Sequence, residues 1–140
     1  MKFWIAALLA ALAMTAFGVW AAQPQYTSFD RSTDMLMDAA TAKAMWKKQL
    51  PTARLAKLYP TKKWGFASDV QGGFNASSTC VVTARAMLVP LRGKVLSFIP
   101  EKSATAFDAV PNSTREQCRE LARKKLEEAM QAVVAALVAT

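Results

Sequence analysis

From Cys80 onward the chain changes character at every second residue. Cys80, Val82, Ala84, Ala86 and Leu88 are apolar, while Thr79, Thr83 and Arg85 fall between them. A period of two predicts a strand with one buried face. Upstream, Trp64, Phe66 and Val70 alternate with smaller or polar residues as far as Gly72-Gly73, a pair that reads as a bulge or turn. Downstream, Pro90-Leu91-Arg92-Gly93 supplies a turn, residues 95–99 predict another strand and residues 103–110 a fourth.

The period lengthens on either side of this block. After Pro111, Ser113-Thr114-Arg115-Glu116 has the spacing of a capping box. Cys118, Leu121, Ala122, Leu126, Ala129, Met130, Val133 and Leu137 then fall on one stripe of a long helix, and Arg115, Arg119, Glu120, Arg123, Lys124, Glu127 and Glu128 fall mostly elsewhere. Before the strands, Leu36, Ala39, Ala40 and Trp46 predict a helix that starts near Ser32 or Thr33. Its acids, Asp34 and Asp38, come early and its lysines come late, in keeping with the macrodipole. Pro51 ends or kinks it, and residues 52–59 predict a short second helix that stops before Pro60. The expected fold is α+β: an N-terminal helix, a three- to four-stranded antiparallel meander, and a long C-terminal helix packed on one face of the sheet.

The first residues do not belong to this pattern. Lys2 precedes an uncharged Ala- and Leu-rich run of 18 residues from Ile5 to Ala22, followed by the polar Gln23-Pro24-Gln25. Charge, apolar run and small residues in that order predict a secretory signal over residues 1–21, cut after Ala21, with Ala22 as the next choice. The competing reading is an uncleaved anchor, since a run of this length is close to what spans a bilayer. Residues 22–31 lack periodicity and read as a flexible leader, and residues 32–140 as a single α+β domain. The expected location is periplasmic or secreted.

An exported chain with two cysteines and no CxxC spacing is expected to join Cys80 to Cys118. Both lie on the inward side of their elements, so the bond would tie sheet to helix. Two free buried thiols are the alternative.

Chemistry is scarce. The chain holds no histidine, which removes the commonest general base and metal ligand. No cofactor or metal is expected, and no catalytic residue is assigned. Asp69 and Asp108 are the acids least explained by helix starts. As a pair they suit glycosidase chemistry only if folding brings them within about 5 to 9.5 Å, and surface turns are the simpler reading. The chain is therefore expected not to be an enzyme.

Charge is more informative. The whole chain carries a formal +8, and without Lys2 seventeen basic residues face ten acidic ones. Between Asp38 and Asp69 no acid occurs, while Lys43, Lys47, Lys48, Arg54, Lys57, Lys62 and Lys63 do, interleaved with Trp46, Tyr59 and Trp64. Cations beside aromatic faces suit an anionic partner. Lys43, Lys47, Lys48, Lys57, Lys62, Lys63 and Trp64 are the expected partner-binding residues, the alternative being core aromatics with a solvated lysine rim. The partner would be an acidic envelope protein or an anionic glycan or lipid surface; nucleic acid is not expected outside DNA uptake or transfer. A second contact is expected at Ala129 to Ala139, apolar on every side except for Gln131. Together these features suggest an exported, non-enzymatic accessory or binding protein. The alternative is an inhibitor or immunity-type protein that neutralises an envelope-acting toxin or hydrolase.

Overall fold

Each helix begins where a side-chain oxygen takes up a free backbone N–H. In the computed structural model, which describes residues 25–139, Asp38 caps α1 (Ala39–Gln49) by accepting from Thr41 N at 2.7 Å. Thr52 caps α2 (Ala53–Leu58) through Leu55 N at 3.2 Å. Thr114 caps α3 (Arg115–Val138): its Oγ1 accepts from Gln117 N, and Gln117 Oε1 accepts from Thr114 N. This is a reciprocal box, one residue later than the Ser113–Glu116 pair expected from spacing. Ser113 is otherwise engaged, donating its hydroxyl to Val110 O at 2.9 Å. The first helix likewise starts later than expected, because Leu36 and Met37 form a buried turn ahead of it.

The strands are β1 (Thr27–Asp30), β2 (Trp64–Phe74), β3 (Cys80–Arg92), the two-residue β4 (Val95–Leu96) and β5 (Lys102–Val110). β2 pairs antiparallel with β3, and the other edge of β3 pairs antiparallel with β4 and then β5. The strand expected over 95–99 is thus reduced to two residues. The sheet as a whole is mixed, because β1 lies parallel to β2, with Thr27 opposite Gly65 and Asp30 opposite Ser68. An all-antiparallel meander is therefore corrected to a curled mixed sheet, and α1 and α2 form the crossover that a parallel pair requires.

β1 also corrects the reading of residues 22–31 as a flexible leader, at least from residue 27. Four residues at a sheet edge, whose two half-buried members, Ser28 and Asp30, are polar, give no hydrophobic alternation to detect. The expected signal at 1–21 and the first three residues of the leader lie outside the described residues. Among the described residues no helix is long and apolar enough to cross a membrane.

α3 packs across β3 and β5, with Phe66, Leu88, Leu126, Met130 and Trp46 among the largest buried side chains between the layers. Cys80, at the start of β3, and Cys118, in the first turn of α3, are joined by a disulfide with a Cα–Cα separation of 5.6 Å. At the far end of α3 the large residues Met130, Val133 and Leu137 point inward, while Gln131, Ala132, Ala135 and Ala139 face out. Gly72, with φ +136°, lies so close to β3 that a Cβ there would collide with the Val81 carbonyl. The pair read as a bulge or turn is thus the end of a strand where only glycine fits.

Candidate functional site

α1 is held against β1 by a chain of polar groups centred on the buried Ser68. Trp46, 2% exposed, donates its indole N–H to Ser68 Oγ at 3.2 Å. Ser68 in turn donates to Asp30 Oδ1 at 2.7 Å, and Ser32 Oγ donates to the same oxygen at 2.8 Å. Arg31 N and Thr33 N extend the pairing by donating to Ser68 O and Val70 O. Burying polar groups is costly unless each finds a partner, and here helix, edge strand and central sheet satisfy one another.

This arrangement leaves an open cleft of about 350 Å³ between β1 and α1. One wall is the β1 segment with Tyr26, Thr27 and Ser28; the other is α1 with Lys43 and Lys47, one turn apart on the same face and both exposed. Leu50 and Pro51 add an apolar end. Among the described residues, two lysines line the cleft and no carboxylate does. Tyr26 donates its hydroxyl to Tyr59 O and sets its ring edge-on to Phe66 at 5.1 Å. Partial burial raises the Tyr26 pKa above its ordinary value, so the phenol stays neutral and a donor. A smaller recess of about 140 Å³ adjoins, lined by Phe29, Asp30 and again Lys43.

The other residues expected to bind a partner lie elsewhere. Lys48 faces a small groove between α1 and α3, beside Arg123 and Glu127. Lys57 is in the last turn of α2, and Lys62 and Lys63 are exposed in the turn before β2. Trp64 is half-buried, edge-to-face with Tyr59 at 5.6 Å. The structure therefore brings Lys43 and Lys47 into one cleft and leaves Lys48, Lys57, Lys62, Lys63 and Trp64 outside its lining. Sequence reasoning missed the β1 wall, although Tyr26, Thr27 and Phe29 are residue types that favour strands.

Asp69 and Asp108 do not form a carboxylate pair. Asp69 lies opposite Arg85 and Asp108 opposite Val82, so the two stand on opposite faces of the sheet with β3 between them. Gln71 donates to Asp69 at 2.6 Å, and Asp108 accepts from Ala109 N. The cleft itself offers ammonium groups, hydroxyls and an apolar end, a set suited to holding an anionic group.

No family model matches this chain, and no curated protein does. Among solved structures, a dodecamer of a PelC variant from Paraburkholderia phytofirmans is similar at 13% identity and a TM-score of 0.39, over 76% of this chain and 90% of that one. A likeness of that size carries no argument about what this chain does.

Proposed function

We propose that this is an exported, non-enzymatic binding protein of the cell envelope, in the periplasm or secreted, whose β1–α1 cleft holds an anionic group of its partner. An acidic envelope protein, an anionic glycan and a lipid headgroup all present such a group. The observation that carries the reading is the lining of the cleft, where Lys43 and Lys47 stand on one wall and, among the described residues, no carboxylate lines it, Asp30 lying in the adjoining recess. The disulfide supports the compartment, since such bonds persist where the surroundings are oxidising.

The test measures binding of the protein to a soluble polyuronate, and to phosphatidylglycerol vesicles, with Lys43 and Lys47 both changed to Glu. Affinity for at least one probe should fall on the order of tenfold, and its salt dependence should flatten. Lys62→Glu with Lys63→Glu is the control of equal charge change and should have a smaller effect. Equal losses in both variants would reduce the cleft to one part of a diffuse positive field.

A further inference from the structure

β5 is the exposed edge of the sheet. It runs for nine residues without proline or glycine, pairs only with β3 among the described residues, and exposes Phe107 at 77%. The opposite edge is the four-residue β1, which is short enough to be poor at recruiting another strand. A long regular edge presents a row of unpaired N–H and C=O groups and invites another strand.

The sequence of β5 is complementary to itself. In an antiparallel pair of identical strands, facing residues must share the same hydrogen-bonding phase, so the twofold axis passes through a residue and not between two. With the axis at Thr105, Lys102 of each copy stands opposite Asp108 of the other, Ser103 opposite Phe107, and Ala104 opposite Ala106. The only two charges of the strand are thereby paired, and its one large aromatic lies beside a small residue. With the axis at Ala106 more residues pair, but Lys102 faces Val110 and Asp108 faces Ala104, leaving both charges without partners.

We infer that β5 pairs with β5 of a second copy of this chain, antiparallel about a twofold axis through Thr105, giving one continuous sheet with both α3 helices on the same side. Facing Cβ atoms in such a pair lie about 5 Å apart, slightly beyond the span of an unstrained disulfide, so Thr105→Cys should be joined into a covalent dimer by a short bis-methanethiosulfonate reagent. Ser103→Cys should not, because the two copies of residue 103 lie more than about 12 Å apart in this register. Both positions are exposed, so neither change disturbs the core. Sedimentation equilibrium on protein expressed from the full-length sequence should show a reversible dimer. Asp108→Lys should weaken it on the order of tenfold, and the charge-swapped K102E/D108K should recover most of the loss. A wild-type monomer at every concentration would overturn the inference. So would a dimer in which Thr105→Cys fails to cross-link, or one in which Asp108→Lys has no effect.

Discussion

Ser68 is the buried polar residue on which the cleft depends. Its hydroxyl accepts from Trp46 and donates to Asp30, so removing it strands an indole N–H and deprives a carboxylate of a donor. Ser68→Ala should cost about 1–3 kcal/mol, read from denaturant unfolding, because an unsatisfied buried group loses its full desolvation penalty. The loss should exceed that of the exposed Ser77→Ala. Asp38 acts at the surface instead. The Thr41 backbone N–H and then its hydroxyl hold the Asp38 carboxyl below its ordinary pKa. A carboxylate favoured by folding contributes stability above its unfolded pKa and loses it as pH falls through the folded value. Melting temperature should therefore drop less on acidification from neutral pH in Asp38→Asn than in the wild type. Parallel curves would show that the cap contributes nothing through its charge.

Among the elements, legibility followed the extent of one-sided burial. β3 alternates from Cys80 to Ala86 because α3 covers one face only there, and Cys80, Val82, Ala84, Ala86 and Leu88 are the inward set the pattern named; beyond it Met87 and Val89 are buried on the other face against Ala67 and Leu96. α3 was legible for the same reason, and the cap slipped by one residue because Ser113 and Thr114 carry the same chemistry. β1 left no pattern: it is a four-residue edge strand whose inward members, Ser28 and Asp30, are both polar, and Asp30 is bound by the hydroxyls of Ser32 and Ser68. A polar strand held by a buried network has the composition of a loop. The disulfide was legible from parity and inward position, and its weight falls on the join between β3 and α3. The bridged cysteines are 38 positions apart. Replacing both by Ala should lower stability by about 4 kcal/mol on the chain-entropy model, measured as a shift in denaturant midpoint. A negligible shift would mean that packing alone holds helix to sheet.

For the whole molecule, charge segregation was visible in the sequence and its spatial meaning was not. Seven basic residues lie between Asp38 and Asp69, yet they sit on α1, α2 and the turn that follows, and the turns between them send the side chains in different directions. Lys43 and Lys47 share a cleft because four residues make one helical turn. Lys48, one residue further on, faces α3 instead. Half of the cleft comes from a segment that sequence reasoning had placed outside the fold.

The central claim is that an anionic group enters between β1 and α1, and backbone amide NMR during titration with a polyuronate tests it most directly. Shifts should concentrate at Tyr26, Thr27 and Ser28 and along α1 from Lys43 to Leu50, and should saturate together with one apparent affinity. Shifts centred on Lys57, Lys62 and Lys63, with β1 silent, would contradict the account.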